Sequence, residues 1–361
     1  MAQTERERHS MNTSRIRRVA GSCLVLVLGA GSAAGQAVNW TGLGDGVNWE
    51  DPNNWSTNAL PGASDLVFSG GGGRTVSLSS NQEVDAFRFT NGDSLVHTSG
   101  TLTVGTGSTR TVSGFPEFGP ASSSYTMSGT AAYNQTDGGR FIMGQRAGLT
   151  LRMTDNTSIS NTGALWLGMD GTFDGNLSGN ASLVAGGTIQ MARFASTSSV
   201  LRLSEDASVD ADGFFVMSDD AVLSGDSLLE ISGSDVSFAT DGLFMREAAT
   251  LSFIADGYGL STLFVDGPGN LVDNGGGMNP QLLLDLSSYT VTQPITLIDM
   301  STGPVNGMFR GLAEGAVVAG TGGLTITYQG GADGYDVMLI PAPASAVCLT
   351  PAALMIARRR R

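Results

Sequence analysis

The feature that most restricts the fold of this chain is a repeated pattern of 24 to 28 residues in its centre. Each copy begins with an apolar residue followed by Ser or Thr, and the five copies start 26, 24, 26 and 28 residues apart, at Met127, Met153, Leu177, Leu203 and Ile231. A unit of this length is too short to bury a core alone, and such repeats gain stability by stacking on their neighbours. The sequence therefore predicts a stack of similar coils.

Three copies align without gaps, and within them apolar positions alternate with polar ones. Met153 is followed by Gly163, Leu165 and Leu167, and the equivalent sets are Leu177 with Gly187, Ile189 and Met191, and Leu203 with Gly213, Phe215 and Met217. A period of two turns one side of a strand toward a core, and the intervening Gly, Asp, Asn and Ser residues favour turns. We predict an all-β parallel β-helix, or β-solenoid, with coils of about 25 residues, flanked by an N-terminal signal helix and a C-terminal membrane helix.

The larger side chains of the centre are interpreted as core and not as a ligand site. His97 follows Leu95 and Val96 and is interpreted as a strand residue. Met fills irregular gaps in apolar cores, so the Met and Phe positions of the repeats are expected to stack from coil to coil. These positions are Met143, Met191, Met217, Met245, Phe215 and Phe244.

The charge of the chain restricts its partners. Gly contributes 51 of 361 residues, and charged residues make up only 14%. All 19 basic residues are Arg, and residues 38–340 contain 31 acidic and ten basic residues, a formal charge of −21. Binding to nucleic acid or anionic lipid requires basic surface, so nucleic acid is not expected as a partner. We predict no cofactor, with calcium bound by the acidic turns as the alternative.

Both ends of the chain have the composition of sorting segments. Residues 11–37 place Arg15, Arg17 and Arg18 before an apolar stretch and then small residues, which is typical of a secretory signal peptide. The predicted organisation is a signal peptide over 1–37, a Trp-rich N-terminal cap over 38–75, β-solenoid repeats over 76–290, C-terminal strands or a cap over 291–340, and a sorting or membrane tail over 341–361.

The last 21 residues combine a proline motif, an apolar run and a basic end. Pro341, Ala342 and Pro343 precede fourteen mostly apolar residues, and the chain stops at Arg358, Arg359, Arg360 and Arg361. An apolar run that ends in a basic cluster is expected to halt in a membrane with the arginines on the cytoplasmic side. The fourteen residues are fewer than the about 20 that a spanning helix needs.

This tail resembles the PEP-CTERM sorting signal, which an exosortase-type membrane protease reads. Pro341 and Pro343 fall on the two prolines of that motif, and Ala342 stands where the motif has an acid. The resemblance implies an exported protein that is first tethered to the membrane and then reaches the cell surface or the extracellular matrix. It also implies an exosortase-like protease as a partner.

Three tryptophans crowd the beginning of the central region, at Trp40, Trp49 and Trp55. An open solenoid end exposes strand edges and core, so we interpret this segment as a cap. The alternative is a sugar site, in which exposed tryptophan rings stack on a glycan. The segment is similar to the opening segment of many exported repeat proteins that carry such tails. Residues 330–339 are predicted to form a hairpin and resemble the final strands of autotransporter-type passenger repeats.

Residues that perform catalysis are scarce, so we predict that the chain is not an enzyme. Residues 38–340 contain one histidine, no lysine and no cysteine, which removes most general bases and nucleophiles. Paired carboxylates hydrolyse glycosides, but the candidates are expected at repeat turns, where Asp bonds to its own backbone. They are Asp206, Asp210, Asp212, Asp219 and Asp220.

The prediction from the sequence is an exported structural or adhesive protein of the cell envelope or extracellular matrix. Its expected partners are cell-surface polysaccharide or matrix proteins, and the membrane through the C-terminal tail. The alternative is a β-helix protein that binds or degrades polysaccharide.

Overall fold

The computed structural model describes residues 37–62, 64–68, 73–89, 92–105, 117–118, 122–145, 148–193, 198–218, 225–271 and 279–341. Contacts divide the chain into two units, Met1–Ala33 and Ala34–Arg361, and every described residue belongs to the second unit. The predicted signal helix and the predicted C-terminal membrane helix lie outside the described residues. No helix among the described segments is long and apolar enough to cross a membrane.

The regular secondary structure of the described chain is almost entirely β-strand, with a single 3-10 turn at Pro52–Asn54. Its strands are β1 (Val38–Asn39), β2 (Asp65–Phe68), β3 (Thr75–Leu78), β4 (Gln82–Val84), β5 (Ala86–Phe89), β6 (Ser94–His97), β7 (Thr101–Val104), β8 (Glu117–Phe118), β9 (Ser123–Met127), β10 (Ala132–Gln135), β11 (Phe141–Met143), β12 (Leu149–Met153), β13 (Ser158–Asn161), β14 (Leu165–Leu167), β15 (Phe173–Leu177), β16 (Ser182–Ala185), β17 (Ile189–Met191), β18 (Ser198–Ser204), β19 (Ser208–Met217), β20 (Asp226–Ser232), β21 (Ser237–Met245), β22 (Ala249–Ile254), β23 (Leu263–Val265), β24 (Gly269–Leu271), β25 (Gln281–Asp285), β26 (Ile295–Met300), β27 (Asn306–Gly307), β28 (Thr325–Gly330) and β29 (Asp336–Ile340).

The strands stack into three parallel columns, which is the predicted β-solenoid. Column A is a nine-stranded sheet in the order β3, β6, β9, β12, β15, β18, β20, β22 and β25. Columns B and C belong to one twenty-stranded sheet, because the long strands β19 and β21 run through both. Column B follows β4, β7, β10, β13, β16, β19, β21, β23 and β26, and column C follows β1, β2, β5, β8, β11, β14, β17, β19, β21, β24 and β27. The coils complete about eight turns.

The register of the stack confirms the alignment read from the sequence. In column A, Met127 pairs with Met153, Met153 with Leu177, Leu177 with Leu203, and Leu203 with Ile231. All five side chains are buried. Burial of each stabilises the fold by about 1.5–3 kcal/mol relative to exposure. The continuous core comes from this alternation, with inward residues meeting the same kind of residue one coil away.

The predicted Met and Phe core positions are confirmed except for one. Met143, Met191, Met217, Met245 and Phe215 are buried. The prediction is wrong for Phe244, which pairs with Val216 and points outward. Its ring lies edge-on to that of Phe214, with 5.0 Å between the ring centroids. A register irregularity between Ala211 and Phe214 lies at this corner, and a shift of one residue changes the face of every following side chain.

The glycines of the repeat lie at the corner between columns B and C, where successive coils approach closely. A Cβ on Gly163 would lie 2.1 Å from the carbonyl oxygen of Gly139. At the equivalent Gly187, the nearest atom would be 3.3 Å away. The first position therefore requires the absence of a side chain, whereas the second has more room.

Candidate functional site

The N-terminal tryptophans form a buried cluster. Trp40, Trp49 and Trp55 surround Phe68 of β2, with ring centroids 5.6–5.7 Å from that ring. Trp40 and Trp55 meet edge to face at 4.9 Å, and the indole N–H of Trp55 donates to the carbonyl of Trp49 at 2.8 Å. No ring is more than 2% exposed. Sugar stacking requires an exposed ring face, and none of these three buried rings offers one.

A single asparagine organises the loop over this cluster. Asn54 is fully buried, and its Oδ1 accepts from the backbone N–H groups of Gly44 and Gly46 at 3.0 and 2.9 Å. Its Nδ2 donates to Asp45 Oδ1 at 2.7 Å and to the carbonyl of Asn48 at 2.8 Å. The amide thus makes four hydrogen bonds, which is its full capacity.

The carboxylates of this loop hold backbone groups. Asp45 Oδ1 accepts from the N–H groups of Val47 and Asn48, both at 2.9 Å, and these bonds hold the pKa of Asp45 well below its usual value. Asp51 Oδ2 accepts from the N–H of Asp45 at 2.9 Å, and its Oδ1 accepts from the N–H of Asn53 in the 3-10 turn. Both carboxylates therefore fix the backbone of the loop.

The same loop closes the first edge of column A. Asn48 forms a parallel bridge with Ser77 of β3, through bonds of 2.9 Å from the N–H of Trp49 and to the carbonyl of Val47. On the far side, the N–H of Asn48 donates to Asp45 and its carbonyl accepts from Asn54. An unpaired edge would be a template for another chain. The loop therefore seals the N-terminal edge of this column.

An ion pair joins this cap to the first two coils. Arg74, at the start of β3, donates from Nη2 and Nε to the two carboxylate oxygens of Asp93 at 2.8 and 3.2 Å. Its Nη1 also reaches the carbonyl of Trp40 at 3.4 Å. The Asp93 side chain is fully buried, so this bidentate pair satisfies a charge that would otherwise be costly to bury.

His97 is a strand residue, as predicted, and it lies inside the core. It is fully buried in β6, with Nδ1 3.1 Å from the hydroxyl of Tyr125. Burial lowers the pKa of His97 to about 4 and raises that of Tyr125 well above its usual value. Both groups are therefore neutral at pH 7 and form a polar contact within the stack.

Charges alternate along the outer side of column A. Asp174 accepts from Arg152 Nη2 and from Arg202 Nη1, each at 2.7 Å, and Arg202 Nε lies 3.7 Å from Glu230. Partial burial acts to raise the pKa of Asp174, but the two arginines outweigh it and leave the pKa below its usual value. These side chains come from four successive coils, so the row ties the coils together.

Where the structure describes them, the acidic candidates lie in different parts of the coil. Asp206 lies exposed in a turn, as predicted, and lines a cleft of about 370 Å³ with Glu205, Asp235 and Asp256. Asp210 and Asp212 are exposed strand residues of β19, so the turn prediction is wrong for them. Asp219 and Asp220 lie outside the described residues. The described residues contain no group of three or more His, Cys, Asp or Glu side chains placed to hold a metal ion.

Two outward aromatic features escaped the sequence analysis. Trp166 of β14 points outward but is only 7% exposed, because the guanidinium groups of Arg140 and Arg193 lie 4.2 and 4.5 Å from its ring centre. Near the corner of β19, Phe214 is 41% exposed. The signal for Trp166 in the sequence is strand alternation. Trp166 lies between Leu165 and Leu167, which point inward, so its own ring points outward.

The C-terminal end is closed by an antiparallel hairpin, as predicted for residues 330–339. β28 pairs with β29, and β29 pairs with β26 at the end of column B. Pro341 follows β29 directly and is the last described residue. The other sorting residues, Ala342 and Pro343, and the basic cluster Arg358, Arg359, Arg360 and Arg361 lie outside the described part of the chain.

Comparison with known proteins adds no family. No protein-family model, no curated protein and no solved structure matches the chain.

Proposed function

We propose that the chain is an exported structural or adhesive protein of the cell envelope or extracellular matrix, and not an enzyme. The observation that carries this proposal is a continuous stacked core, closed at the N-terminal edge of column A, whose last strand leads straight into Pro341. Such a stack presents long, regular outer columns to partners while its interior is filled by side chains. The partners we propose are cell-surface polysaccharide or matrix proteins.

The environments of the charged groups support a structural role. Asp45 and Asp51 hold the cap loop, Asp93 is bound by Arg74, and Asp174 lies between two arginines. Each of these carboxylates satisfies backbone or arginine donors within the stack. Asp93 and Asp174 thus join successive coils, while Asp45 and Asp51 fix the cap loop.

We further propose that the chain is secreted through its N-terminal segment and tethered through residues 341–361. The layout of proline motif, apolar run and four terminal arginines supports recognition by an exosortase-like protease. The tether would then leave the stack at its C-terminal end, opposite the tryptophan cap. This arrangement would turn the cap away from the membrane.

Fractionation of cells tests the proposal. Full-length protein is compared with a chain that ends at Pro341 and with a variant that has alanine at the four terminal arginines. We expect the full-length chain in the envelope fraction and the truncated chain in the medium. Equal envelope retention of the truncated and full-length chains would refute the tether.

A second function, polysaccharide binding, is favoured by one observation. The exposed ring of Phe214 and its edge-on partner Phe244 form an outward aromatic pair that is suited to stacking on a sugar. Glycan-array binding by the purified chain tests it, with Phe214→Ala as the variant and Phe264→Ala, another exposed phenylalanine, as the control. Glycan binding that Phe214→Ala leaves unchanged would exclude this site.

A further inference from the structure

A cleft of about 510 Å³ opens at the C-terminal end of the stack. One wall is the segment that follows β25, with Leu286, Tyr289 and Val291. The opposite wall is the loop over residues 320–324, which comes from the region before the final hairpin. The cleft has the size of a small-molecule or peptide pocket and opens to solvent beside the last strand of column A.

The last described residue of the chain lies at this cleft. β29 ends at Ile340, and Pro341 is itself part of the cleft lining. Twenty residues of the chain follow Pro341, beginning with Ala342 and Pro343. No linker separates the fold from the Pro-Ala-Pro motif, so the motif starts in contact with the cleft.

The lining suits a short proline segment. Gly320, Gly322 and Gly323 have φ values of +79°, +72° and +103°, in the left-handed region that favours glycine, and no side chain extends from them into the space. Tyr289 supplies an aromatic ring at the other wall. Proline-rich segments adopt the extended polyproline conformation, and they dock into grooves lined by aromatic side chains.

We propose that this cleft is the docking site for the Pro-Ala-Pro motif of the same chain, with Ala342 and Pro343 bound between Tyr289 and the glycine loop. Docking itself does not depend on the proposed tether. The consequence of docking for sorting rests on the proposed function, because a processing protease would then encounter the motif bound to the folded end of the solenoid. The folded solenoid then becomes a component of the sorting signal.

Hydrogen exchange measured by mass spectrometry tests the docking. We compare the full chain with the chain that ends at Pro341. Amides of residues 286–291 and 320–324 should exchange severalfold more slowly in the full chain, because the motif shields them. Residues 163–167, in the middle of the stack, should exchange equally in both. Equal exchange of the two cleft segments in both chains would overturn the proposal.

A matched pair of tyrosine variants of the full chain separates docking from general loosening. Tyr289→Ala should raise the exchange of residues 320–324 toward that of the truncated chain. Tyr258→Ala, which removes an 86% exposed ring outside the cleft lining, should leave it unchanged. If the cleft segments are protected from exchange but the full chain is not retained in the envelope, the tether is wrong and the docking stands. Retention through the tail without cleft protection would count against docking alone.

Discussion

Replacing Asn54 by alanine should weaken the N-terminal end of the stack more than any exposed substitution in the same loop. The change removes four hydrogen bonds of 2.7–3.0 Å and leaves the N–H groups of Gly44 and Gly46 without their acceptor. A hydrogen bond contributes about 1 kcal/mol net, and the exposed N–H of Gly44 can bond to water once its acceptor is removed. We expect the free energy of unfolding to fall by about 2–4 kcal/mol.

The assay is urea unfolding followed by tryptophan fluorescence. The chain has four tryptophans, of which three lie in the cap, so a Trp166→Phe background makes the signal report on the cap alone. Asn53→Ala is the matched control, because Asn53 is exposed and its side chain makes a single bond, to Asp51 at 3.1 Å. If Asn54→Ala and Asn53→Ala unfold within about 0.5 kcal/mol of each other, the network does not hold the cap.

Three further changes test other parts of the stack. Gly163→Ala should lower the free energy of unfolding by about 1–3 kcal/mol, because its Cβ clashes with the preceding coil. Gly187→Ala should lower it by less than about 1 kcal/mol. Equal decreases in melting temperature for the two variants would contradict the geometry of this corner. The pKa of His97 is about 4 in the fold, whereas an ordinary histidine has a pKa near 6.5, so the stability present above pH 6.5 should be lost as the pH falls toward 4. His97→Leu should remove that part of the pH dependence in chemical denaturation. An identical pH profile for the variant and the original chain would refute this role of His97. Asp174→Ala should cost no more than about 1 kcal/mol because the ion pairs are partly exposed; a much larger loss in thermal unfolding would mean that the charge row is essential.

The repeat register could be predicted from the sequence because two independent signals agree there. The spacing of the repeats and the alternation around Met153 and Leu177 both place the same residues inward, and each inward residue meets its equivalent in the next coil. A one-residue error would expose the whole apolar set, which makes the register strongly determined. In the centre of the chain, the local sequence pattern and the tertiary packing therefore place the same residues in the core.

The corner of β19 could not be predicted in the same way. Asp210 and Asp212 have turn-like composition, yet both lie within β19, where Asp210 pairs with Val184 of β16 and with Ala239 of β21. The irregularity after Ala211 then changes which residues face outward. Phe244, which is paired across this corner, is predicted from the sequence to lie in the core because composition does not reveal such a shift.

The two ends depend on contacts that are distant in sequence. The burial of the tryptophans requires Phe68 and the Asn54 network, neither of which is apparent from tryptophan spacing. The cleft at Pro341 forms between residues 284–291 and the loop over 320–324. The sequence indicates the cap and the proline motif, but the burial of the tryptophans and the cleft beside Pro341 come from tertiary packing.

Disulfide trapping tests the stacked register most directly. Ser158 and Ser182 are partners in column B, and Ser208 lies one coil further. Neighbouring strands are about 4.8 Å apart, which a disulfide can span, whereas two steps are about 9.6 Å. With Cys23 and Cys348 replaced by serine, we predict that Ser158→Cys with Ser182→Cys forms an intramolecular disulfide on oxidation and that Ser158→Cys with Ser208→Cys does not. Failure of the first pair, or efficient bridging of the second, would contradict it.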